Sequence, residues 1–141
     1  MADPVGYLRA LVSKETVTSE GLVDYRTLPY SHLVGIETPA AIRERWRRVV
    51  WTIMQHNVAC KQWDERWYLN VWTVHALAGG RPLALAQYLH EQDPMISAHH
   101  LTLELHPNVN RKAITIADEL TIGEDPPPED LWEALRWIEP E

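Results

Sequence analysis

The side chains in this chain with chemistry beyond packing are seven histidines, one cysteine and a cluster of arginines. In His100-Leu101-Thr102-Leu103-Glu104-Leu105-His106, polar and apolar residues alternate. As a strand, this stretch would set His100, Thr102, Glu104 and His106 on one face. Two imidazoles and a carboxylate are ligand types for zinc or iron. The spacing argues against a shared ion: His100 and His106 would stand ~20 Å apart at ~3.3 Å per residue, against metal–ligand bonds of ~2.0–2.2 Å. Glu104 with His106, or His99 with a distant His56 or His75, are the remaining pairings. The plainer reading is a polar, solvent-facing strand surface, so no metal, cofactor or catalytic residue is assigned.

Cys60 follows His56 by four positions and precedes Lys61. A nucleophilic thiol needs a depressed pKa and a histidine brought close by the fold. No local signature surrounds this one, and a structural thiol is expected. His56 falls near a helix end, where a cationic imidazole interacts favourably with the helix dipole. His75 lies among Val71, Trp72 and Leu77 and is expected to be a core histidine bonded to a backbone carbonyl. Arg43, Arg45, Arg47 and Arg48 interleave with Trp46 and Trp51, a pattern able to grip phosphates and stack on bases. Glu44 dilutes the cluster, and Trp46 falls on the apolar side of the helix. The favoured reading is a solvated or salt-bridged helix face.

The clearest interaction signal is C-terminal. Leu131, Trp132, Leu135, Trp137 and Ile138 crowd a short segment ringed by acids, behind Pro126-Pro127-Pro128. Apolar anchors at helical spacing are how a helix docks into a groove, and these five are the candidate partner-binding residues. Two destinations are open to that helix, its own core or a neighbouring molecule.

The elements that would position these groups centre on residues 38–80, which hold Trp46, Trp51, Trp63, Trp67 and Trp72. Thr38 and Pro39 form a helix start, followed by Ile42, Trp46, Val49, Val50, Ile53 and Met54 on one face. A second helix is expected from about Asp64 to Ala78. It is apolar nearly all round and so expected to be buried, and Gly79-Gly80 stops it. A third helix runs from Pro82 to about Glu91, with Asp93-Pro94 ending it. Residues 100–117 read as a β-hairpin, since Lys112 to Ala117 alternates again after the turn-rich 107–110. An amphipathic helix is expected over 4–14, with short strands at 22–26 and 33–36 as an option, and a last helix over about 129–138.

The apolar fraction of 45% is enough for a core. A net charge of −7 repels nucleic acid and anionic lipid unless basic groups are segregated. A lone cysteine allows no internal disulfide, and the N-terminal Met-Ala-Asp-Pro lacks signal-peptide character. The expected setting is therefore cytoplasmic or within a virus particle, not secreted, with no membrane contact.

The fold class is mainly α (α+β): a Trp-rich helical hairpin with flanking short helices, one β-hairpin and a C-terminal amphipathic helix. Residues 1–123 would form one compact domain and 124–141 a proline-hinged acidic segment. The expected function is non-enzymatic protein interaction or assembly through self-association (homo-oligomer) or a protein partner, and a viral or phage structural or accessory role fits that profile. The alternatives are a small metal- or His/Cys-dependent enzyme and a nucleic-acid-binding module on the Arg43–Arg48 helix.

Overall fold

A computed structural model describes residues 24–135. The expected helix over 4–14, and Trp137 and Ile138, lie outside the described residues. Among the described residues are seven α-helices, α1 (Tyr30–Val34), α2 (Pro39–Ala59), α3 (Val71–Ala78), α4 (Pro82–Glu91), α5 (Asp93–Thr102), α6 (Ile116–Glu119) and α7 (Leu131–Leu135). Three 3-10 turns accompany them at Tyr25–Thr27, Trp63–Glu65 and Pro107–Asn110.

Helix α2 is the axis. Its Thr38 cap accepts from the Ala41 N–H through the hydroxyl, and Pro39 opens the first turn. Trp46, Val49, Val50, Ile53, Met54 and Val58 go into the main core, where they meet Trp67, Leu69, Val74, Leu85 and Tyr88. The face opposite is also covered. Leu28, Leu33 and Ala41 form a second small core, with Tyr25, Tyr30 and Ile36 packed on it. Residues 25–36 therefore roof the charged side of α2, where Glu44, Arg45 and Arg48 are buried.

The β-hairpin expected over residues 100–117 is not present: no strand occurs among the described residues. Asp93-Pro94, expected to end a helix, begins α5, with the proline in the first turn where its missing N–H costs nothing. Helix α5 continues through Thr102, and Glu104 then adopts a left-handed backbone (φ 55°). The Leu105 N–H bonds the His100 carbonyl at 2.8 Å and the Glu104 N–H that of Leu101 at 3.2 Å. This is a Schellman closure with glutamate where glycine is usual. Leu103 and Leu105 are buried by that reversal while Leu101 is 80% exposed, so the leucine alternation does not mark a strand face. In the second expected strand, Ile116 pairs with Leu120, four residues on, both buried at helical spacing across α6.

The helix expected over Asp64–Ala78 is also corrected. Only α3 is helical, Arg66–Asn70 being extended after the Trp63–Glu65 turn. Asn70 starts α3 late because its side chain accepts from the Thr73 N–H, while the Thr73 hydroxyl accepts from the Asn70 N–H. Short polar side chains of this kind compete with helix upstream of a cap. At the other end Gly79 (φ 69°) and Gly80 (φ 100°) close α3 as expected. A Cβ on Gly80 would lie 2.6 Å from Trp46 Cζ2, so glycine here also makes room for the indole. The options of strands at 22–26 and 33–36 give way to the Tyr25–Thr27 turn and α1 for residues from Asp24 onward.

Candidate functional site

The chemistry-bearing residues gather around the extended segment 66–70. An extended segment inside a core must find partners for its N–H and C=O groups. Here side chains supply them. Asn57, on α2 and 0% exposed, accepts from the Trp67 N–H through Oδ1 at 2.8 Å and donates to the Trp67 carbonyl through Nδ2 at 2.7 Å. Asn110 does the same for Tyr68, accepting at 2.8 Å and donating at 3.0 Å. His100 Nε2 accepts from the Leu69 N–H at 3.0 Å, and its ring stacks on Tyr68 with centroids 3.8 Å apart. Arg66 turns back to donate to the Asn57 and Cys60 carbonyls at 2.8 and 2.9 Å, closing the C-terminus of α2. Trp67 is anchored at its far end, where its indole N–H donates to Glu119 at 2.8 Å.

These bonds fix the histidine tautomers. Asn57 Oδ1 receives an N–H, so its Nδ2 is the amide donor, and the second hydrogen goes to His99 Nε2 at 3.0 Å. His99 Nε2 is then an acceptor and the ring proton sits on Nδ1. The same holds for His100, which receives the Leu69 N–H. Burial holds the His99 pKa down to about 3, with the neighbouring His100 and Arg66 adding to the effect. Burial likewise lowers His100 to about 4, opposed by Asp93. Both are neutral imidazoles whose Nε2 lone pair is already engaged in positioning backbone.

The fold brings Cys60 and His56 together, with Sγ 3.3 Å from Nε2. That nitrogen also faces the Glu65 carbonyl oxygen at 3.0 Å. An oxygen that only accepts requires the proton on Nε2, so it has no lone pair there for the thiol. Burial raises the Cys60 pKa further, followed by the Glu65 carboxylate. The pair is a protonated thiol against an N–H donor, the reverse of an activated nucleophile.

His75, expected in the core, is exposed on α3, and the buried histidine is His99, 2% exposed. Thr102, Glu104 and His106 are exposed around the end of α5 and share no strand face. No group of three His, Cys, Asp or Glu among the described residues is placed to hold a metal ion.

The arginines of α2 are engaged by partners on the same chain, Arg45 and Arg48 in buried positions and Arg43 at the surface. Glu44 takes Arg48 Nε at 2.9 Å and Arg47 Nε at 3.0 Å. Arg48, 1% exposed, also donates to the Tyr25 and Arg26 carbonyls. Arg45 reaches the Val34 carbonyl and pairs with Glu37, and Arg43 pairs with Glu91 at 2.7 Å.

Of the C-terminal candidates, Leu131 and Leu135 are buried in the main core and Trp132 packs on it half-buried. Among the described residues the three most exposed large apolar side chains lie elsewhere: Trp72 is 78% exposed on α3, Leu83 84% on α4 and Leu101 80% on α5.

Sequence reasoning passes over Asn57 and Asn110, and it places Trp72 on a helix expected to be buried, whereas its side chain faces solvent. Asn57 carries a signal, since it falls on the apolar stripe of α2 four residues after Ile53. A lone amide on a core face has backbone to satisfy. No helix among the described residues is long and apolar enough to cross a membrane. In comparisons with protein-family models, curated proteins and solved structures, nothing matches the chain.

Proposed function

We propose that this is a non-enzymatic interaction protein that self-associates through the outer surfaces of α3 and α4. The observation that carries the reading is Trp72, a tryptophan left 78% exposed on a helix whose inner face is already packed. Tryptophan is among the residues most enriched at binding hot spots, because its large ring removes much apolar area from water when covered. Trp72 shares its face with His75 and Ala76, and the next helix, packed against α3, presents Leu83. Helix α3 holds no Asp, Glu, Lys or Arg. A second copy can therefore meet it without the like-charge repulsion that a chain of net charge −7 otherwise brings. The engagement of His99, His100, His56 and Cys60 in bonds that position backbone or close α2 supports the same reading.

Sedimentation velocity and light scattering over a wide concentration range test it. The parent chain is expected to gain mass with concentration. Trp72→Ser should remain monomeric with an unchanged melting temperature, because the lost side chain is outside the core. A hot-spot loss of ~2 kcal/mol or more corresponds to at least ~30-fold in dissociation constant. A parent that stays monomeric throughout, or a Trp72→Ser variant that associates like the parent, overturns the proposal.

A further inference from the structure

A cleft of about 590 Å³ opens between the start of α2 and the start of α4. Pro39, Ile42, Trp46 and Ala84 give it an apolar lining, and Gly80 contributes bare backbone. Its charged residues are Arg43, Arg81 and Glu37. Glu37 is directed to Arg45, at 3.5 Å. Arg43 uses one N–H on Glu91 and lies over the Tyr88 ring, its guanidinium carbon 5.0 Å from the centroid. Arg81 has no carboxylate within ion-pair distance among the described residues. The result is an apolar cleft with one unpaired guanidinium and a second only partly used.

We infer that this cleft is a binding site for a small organic acid, an aliphatic or aromatic body lying against Ile42, Trp46 and Ala84 with its carboxylate held by Arg81 and Arg43. Three features of the cleft fit that ligand class. Its volume is in the range of small-molecule sites, ~300–1,000 Å³, which are mainly apolar with a few polar groups that fix orientation. Its free charge is cationic on a chain of net charge −7, so the anion preference is local rather than a property of the surface. A guanidinium presents its donors in a planar fork that matches a carboxylate, which favours a carboxylic acid over a neutral apolar compound. The Trp46 indole N–H is already bonded to the Gly79 carbonyl at 2.9 Å, so the buried floor of the cleft presents the ligand with no donor.

Hexanoate is the probe, with hexanamide as its uncharged counterpart, followed by amide chemical shifts in a ¹⁵N-labelled full chain. Hexanoate is expected to give saturable shifts clustered at residues 41–46 and 80–84. Hexanamide should bind about tenfold more weakly, and Arg81→Gln should lose about tenfold for hexanoate, the size of one charge-assisted hydrogen bond. Arg81 is exposed, so this variant keeps the fold, and its unliganded spectrum reports that directly. Ala84→Leu fills the cleft and should weaken both probes alike. Equal binding of hexanoate and hexanamide, indifference of hexanoate to Arg81→Gln, or the lack of saturable shifts at these residues each overturns the assignment.

Discussion

An imidazole that accepts a hydrogen bond through Nε2 can do so only while neutral. His99 and His100 both do this, one from Asn57 and one from the Leu69 N–H. Protonating either puts two donors face to face. Their folded pKa values, about 3 and about 4, lie below the ~6.5 of an unfolded chain, so the unfolded state binds more protons between these limits. The stabilisation is fully present above about pH 6.5 and is lost as pH falls toward 4. For His99, almost fully buried, the slope approaches ~1.4 kcal/mol per pH unit in that window. The urea midpoint should therefore drop between pH 7 and pH 5, a range above the ~3.9 and ~4.3 of unfolded Asp and Glu. His99→Gln, which keeps an acceptor but does not titrate, should flatten that drop. Parallel losses in parent and variant would refute the assignment of His99 as the sensor. From sequence the tautomers were out of reach, because they depend on residues Asn57 and Leu69, distant in the chain.

At the scale of elements, what decides the architecture is where the backbone finds partners. Helix α2, with its Thr38 cap, proline and apolar stripe, was legible because every one of those signals is local. So were the glycine stop after α3 and the extent of α4. The segment 64–70 was not, because its apolar residues suit a helix as well as a buried extended stretch. The deciding groups are the side-chain amides of Asn57 and Asn110, which arrive from other elements. The leucine alternation at 101–105 misled for a related reason: a helix followed by a left-handed Glu104 buries alternate residues without any strand. In the candidate site, the Cys60–His56 contact followed from their spacing on one helix turn, whereas the His99–Asn57 bond spans 42 residues. Asn57→Ala tests the clamp. It leaves the Trp67 N–H and carbonyl buried without partners, at ~1–3 kcal/mol each, so the loss should be ~3–5 kcal/mol by denaturant unfolding. A cost below ~1 kcal/mol would mean that water or another group replaces the amide.

For the whole molecule, the charged face of α2 is an internal joint, and the chain beyond Gly123 helps to cover it. The Tyr30 N–H donates to the Glu124 carbonyl at 3.1 Å and the Ser31 N–H to the Glu124 carboxylate at 2.9 Å, which holds that carboxyl below its usual range. Arg47 donates to the Pro128 carbonyl at 2.8 Å, and Arg26 pairs with Glu129 at 2.9 Å. These exposed pairs contribute little individually and serve to set the path of the segment. The energy lies beyond them, where Leu131 and Leu135, both buried, insert beside α2. Each leucine exchanged for alanine in a packed core costs ~2–5 kcal/mol, against ~5–15 kcal/mol for the entire stability of a domain this size. Ending the chain at Gly123 removes both, along with Trp132 and the cover over Arg47. The truncated protein is therefore expected to lose its cooperative melt and to bind a dye for exposed apolar surface, while Leu131→Ala alone should melt cooperatively at a lower temperature. If the truncated chain instead melts like the parent and differs only in its mass in solution, these leucines serve association rather than the core, and the main packing unit is smaller than the contacts around α2 imply.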